Sequence, residues 1–162
     1  MNHTLYLVSV FLHILASALW IGGMIFLIAV IIPSVKNNPD KISLMGSIAL
    51  KFRTAGWMAL ILLLITGMIQ LQFRGAQWNM EYFTSSFFGK LAGIKILAFS
   101  VILLLSFIHD FFIGTKAMEA WQKDPDNPKT ISLRNTSRIL GRLNFLLALL
   151  AAALGVLLVR GF

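Results

Sequence analysis

No cysteine occurs in the chain. Disulfides, iron–sulfur clusters and thiolate metal sites are therefore excluded. Charge is scarce as well: Asp, Glu, Lys and Arg make up only 12% of the residues, where a soluble domain carries about 25%. Acidic residues are the scarcest, with six against fourteen Lys and Arg. Proline occurs four times, too rarely to break up long helices. Metal-chelating clusters are not evident, since the three histidines are widely spaced.

What is present is apolar. Hydrophobic residues account for 58% of the 162 positions, and the mean hydropathy is +0.83. This composition predicts an integral membrane protein forming a single domain over residues 1–162. The opening stretch "MNHTLYL" has no basic run and no cleavage-like site, so the first apolar segment is expected to be retained. A net charge of +8 points to Lys and Arg gathered on one side of a bilayer, not to nucleic acid.

Four segments meet the requirement of about 20 apolar residues for a spanning helix. They cover roughly residues 4–34, 42–72, 86–115 and 132–160, with Ser86 in a capping cluster before the third. The stretch "KAMEAWQKDPDNPKT" reads as a polar connection centred on a turn. Lys36, Lys41, Lys51 and Arg53 flank the first connection, and Lys116, Lys123, Lys129, Arg134, Arg138 and Arg142 flank the third. The opposite side holds only Arg74, Lys90 and Arg160, so both termini are expected outside the inner (cell) membrane.

Small and polar residues recur at helical spacing. The stripes are Ser9, His13, Ala16, Ser17, Trp20 and Gly23; Arg53, Gly56, Leu60, Leu63, Gly67 and Gln70; Lys95, Phe99, Ile102, Ser106 and His109; and Gly141, Asn144, Ala148, Ala152 and Gly155. Facing these stripes inward predicts an all-α, antiparallel four-helix bundle.

Depth separates the ionisable residues into two layers. His13 lies roughly 14 Å, and Lys95 roughly 11 Å, from the outer ends of helices that run the same way. Thr66 and Gly67 reach a similar level. His109 lies roughly 30 Å down the third helix, so His13 and His109 cannot hold one metal together. The outer layer, His13 with Lys95, is a polar island in apolar surroundings. An imidazole there can bind a metal or a haem iron, and an ammonium can pair with a propionate. The inner layer gathers Arg53, His109, Asp110 and Asn144, with Arg142 at its edge and an Arg53–Asp110 pair expected. Arg134, Arg138 and Arg142 form a basic ridge suited to lipid headgroups or propionates. His3 is expected to be solvated.

The stretches "LHILASALWIGGMIF", "KFRTAGWMALILLLITGMIQL" and "FFGKLAGIKILAFSVILLL" resemble the copper-resistance D (CopD-like) membrane domain. The closing "IHDFFIGTKA" and "RILGRLNFLLALLAAALGVLLVRG" are similar to small four-helix members of that superfamily. A more distant resemblance is to the HemJ-type protoporphyrinogen oxidases, which implies haem b at His13 and Lys95, with His13 as the metal ligand. Two functions follow as expectations. One is a haem b- or porphyrin-binding redox protein, carrying electrons or oxidising a porphyrinogen-type substrate. The other is a copper transport or copper-homeostasis accessory protein. The seven methionines form no close i, i+3 or i, i+4 pair, which argues against a copper conduit. The mid-membrane helix breaks of transporters are not evident either. Expected partners are the lipid bilayer and a membrane redox protein or a second copy of the chain.

Overall fold

The computed structural model describes residues 3–160. Four long helices dominate: α1 (His3–Val35), α2 (Lys41–Phe73), α4 (Phe87–Lys123) and α5 (Pro128–Arg160). A short helix, α3 (Met80–Ser85), precedes α4. No strand occurs among the described residues, and each long helix is long and apolar enough to cross a membrane. Large apolar side chains cover the outer surface: Phe11, Ile14, Leu97, Leu146 and Val156 are each at least 60% exposed. In water such a surface would be an aggregation hazard; against lipid tails it is the expected exterior.

The helices pack antiparallel in sequence order. Gln70 of α2 reaches the Ser9 carbonyl, Thr66 meets His13, Gly56 lies under Trp20, and Phe52 lies against Gly23. The α4–α5 pair shows the same reversed register: Lys95 faces Gly155, Ser106 meets Asn144, and His109 meets Ser137. Ala16, Trp20, Ala59, Leu60, Leu63, Ile102 and Ala148 form one core to which all four long helices contribute. The all-α bundle predicted from the stripes is thus observed.

Three details differ from expectation. The third helix continues to Lys123, so most of "KAMEAWQKDPDNPKT" is helical and only residues 124–127 turn. Pro128 opens α5 earlier than expected, at a first-turn position where its missing N–H costs nothing. On α5, Ala152 is exposed and Ala151 packs toward the core instead. Ser86 caps α4 as expected, its hydroxyl accepting from the Gly89 N–H at 2.9 Å.

Neither α1 nor α4 is regular throughout. Residues Leu27–Ile31 and His109–Ile113 form wide π turns. The first precedes Pro33, whose ring cannot donate to the carbonyl four residues back and crowds it, so the turn opens. The second delivers the inner polar layer.

Candidate cofactor site

In the outer layer, His13 projects from α1 onto Thr66 of α2. Thr66 is fully buried, and its hydroxyl donates to the Leu62 carbonyl at 2.6 Å. That leaves its oxygen to accept, and His13 Nδ1 lies 2.8 Å away. In the neutral ring this places the proton on Nδ1 and leaves the Nε2 lone pair unengaged. Gly67 makes room for the ring: a Cβ there would stand 3.5 Å from His13 Cε1. Ser17 donates back to the His13 carbonyl at 2.8 Å and so satisfies itself locally.

Lys95 approaches from α4. Its Nζ lies against Gly155 of α5, 2.9 Å from where a Cβ would stand, so the glycine is what admits the ammonium. Lys95 is within electrostatic reach of both His13 and Arg74. No hydrogen bond to its ammonium occurs among the described residues, and none joins it to His13. Arg74, at the end of α2, donates to the Leu158 carbonyl at 2.8 Å and stacks over Phe88. No carboxylate pairs with Lys95 or Arg74 among the described residues. Expectation named His13 and Lys95; it missed Arg74, whose position at a helix end gave only an orientation signal.

The inner layer is a separate hydrogen-bonded chain. His109 Nδ1 meets Asp110 Oδ1 at 2.8 Å, and His109 Nε2 meets the Ser137 hydroxyl at 3.1 Å. The other carboxylate oxygen, Oδ2, accepts from the Trp57 indole N–H at 2.9 Å. The expected Arg53–Asp110 ion pair is not formed. Arg53 donates to the Asp110 backbone carbonyl at 3.2 Å, and Thr115 donates to that same oxygen at 2.9 Å. The π turn makes this possible, because a widened turn engages its carbonyls less tightly and leaves them open to side chains. Asn144 belongs elsewhere: it donates to Ser106 at 2.8 Å, and its own Oδ1 is buried without a partner among the described residues. Arg142, expected at the edge of this layer, is exposed. Trp57 and Ser137 were not foreseen. Trp57 lies one turn beyond Arg53, a spacing that could have marked it.

His13 and His109 thus serve different clusters, as their depths required. No group of three or more His, Asp or Glu side chains able to hold a metal ion occurs among the described residues.

The chain is 28% identical over 154 residues, covering 94% of each sequence, to an uncharacterized protein of Aquifex aeolicus (strain VF5). The alignment runs nearly end to end, so the likeness is to the four-helix unit as a whole. No protein-family model matches the chain, and no solved structure matches it.

Proposed function

We propose that the chain is an integral membrane redox protein that holds a haem b or related metalloporphyrin in the half of the bundle containing His13, in the inner cell membrane with both termini outside. The observation that carries this reading is His13 itself. Its Nδ1 is tied to Thr66, which orients the ring and leaves Nε2 as a metal ligand. The residues of this layer would hold the group through the His13 imidazole. Lys95, within electrostatic reach of His13, and Arg74, within reach of Lys95, have no carboxylate partner among the described residues and would suit the two propionates of a porphyrin. When bound, haem supplies reversible one-electron exchange at its iron.

The chain's own contributions follow from position. Thr66 fixes the imidazole through a bond backed by the Leu62 carbonyl. The apolar core below, with Leu63 and Ile102 buried, keeps water from that side of the ring. Lys95 would pair with one propionate. His13 is the one imidazole this layer would offer to the metal. The copper-accessory alternative has no comparable support, because no cluster of three or more His, Asp or Glu side chains accompanies His13 among the described residues.

The visible spectrum of protein purified from haem-replete cells tests the reading. A b-type Soret and α-band are expected in the parent. His13→Ala should abolish or strongly alter them, Lys95→Ala should shift them, and His109→Ala should leave them nearly unchanged. A fully haem-loaded His13→Ala with the parent spectrum would overturn the assignment.

A further inference from the structure

A second site lies at the other end of the bundle, where the connections at residues 36–40 and 124–127 emerge. All four long helices or their flanks wall a cleft of about 340 Å³. Its lining contains four cations, Lys36, Lys41, Arg134 and Arg138, and no carboxylate. The rest of the wall is largely apolar, with Met118 and Trp121 of α4 prominent. None of the four cations forms an ion pair among the described residues. The Arg134 guanidinium stacks on the Trp121 ring at 3.7 Å, which occupies its face, and its in-plane N–H donors meet no acceptor among the described residues. Arg138 has only a 3.5 Å contact to Asn135, at the limit of a hydrogen bond.

From this arrangement we infer that the cleft binds one anionic phospholipid, its phosphate on Arg134 and Arg138 and the start of its acyl chain along Met118 and Trp121. Charge complementarity selects the occupant. Four uncompensated cations call for an anion, and planar guanidinium groups suit phosphate oxygens. The apolar wall would be wasted on free phosphate, whereas a lipid satisfies both parts at once. A second copy of the same face would bring four more cations and be repelled. The cleft also lies toward the end of the apolar spans that carries most of the Lys and Arg. This site shares no residue with the His13 layer and is independent of the cofactor reading.

The test uses the full-length protein in neutral detergent, titrated with phosphatidylglycerol carrying brominated acyl chains, with tryptophan fluorescence as readout. Saturable quenching is expected in the parent and should be largely lost in Trp121→Phe. Brominated phosphatidylcholine should need about tenfold more lipid for half-saturation, as should phosphatidylglycerol with the Arg134→Gln/Arg138→Gln variant. Circular dichroism checks that the variant is helical; if it does not fold, Lys36→Gln/Lys41→Gln, changed outside the packed core, should show a shift in the same direction. Equal quenching by the two lipids would overturn the proposal. So would release of the bound lipid by millimolar inorganic phosphate, or an unchanged half-saturation in the folded charge variants.

Discussion

Asp110 is a carboxylate within α4, and both of its oxygens are engaged, one by His109 and one by Trp57. Removing the indole donor with Trp57→Phe leaves Oδ2 unpartnered and should cost about 1–3 kcal/mol in unfolding assays. The double variant Trp57→Phe/Asp110→Leu should then lose less than the two single losses combined, by about 1 kcal/mol. Arg53→Met with Asp110→Leu should behave differently. Arg53 holds the backbone carbonyl, which survives the aspartate replacement, so those losses should nearly add. The reverse pattern would mean that Arg53, not Trp57, is the carboxylate's partner. Two glycines make a second contrast. A Cβ at Gly23 would stand 2.6 Å from Phe52 Cε2, whereas at Gly67 it would make ordinary contact with His13. Gly23→Ala should therefore destabilise by about 1–3 kcal/mol and be relieved by Phe52→Leu, while Gly67→Ala stays near neutral. Equal losses at the two positions would contradict this packing.

Among the elements, α4 shows how one irregular turn serves a cluster. The π turn at His109–Ile113 contains one residue more than an α-helical turn needs. It aims His109 at Ser137 and opens the Asp110 carbonyl to Arg53 and Thr115. Deleting Phe112, which is half exposed, should restore an α-helical turn while the segment beyond keeps Ala117 buried. The expected outcome is a folded protein that has lost the His109–Ser137 bond, read as faster exchange of the imidazole N–H by NMR and a lower unfolding temperature. An unchanged imidazole signal would show that the π turn does not position the ring. None of this was legible beforehand. A π turn has no composition of its own, and the segment "IHDFFIGTKA" fits a regular helix equally well. The same lack of signal hid the helical continuation to Lys123.

At the scale of the whole molecule, the charge asymmetry argues for orientation. The ends of the helices next to residues 36–40 and 124–127 carry most of the Lys and Arg, including the four around the cleft. By the positive-inside rule, the proposed orientation puts that end in the cytoplasm and the His13 layer in the outer half. A periplasmic reporter fused after residue 162 should be active and a cytoplasmic one silent. The opposite result would invert the bundle and move the His13 layer to the inner leaflet.

Composition and spacing by themselves determined the four spans, their antiparallel order, the separation of His13 from His109, and three of the four inward stripes. They could do so because a chain in lipid must close its backbone hydrogen bonds within each segment, which leaves long helices as the solution for apolar stretches of this length. The tertiary structure alone decided the partner of each polar group. In a soluble helix a polar face marks the outside. Here the outer faces are as apolar as the core, so periodicity leaves the rotation of each helix loosely defined. That is why Ala151 and not Ala152 turns inward, why Asn144 reaches Ser106 and not His109, and why Arg53 finds a backbone carbonyl in place of a carboxylate. A small rotation about a helix axis changes little in apolar packing but reassigns a hydrogen bond, and only the packed bundle sets that rotation.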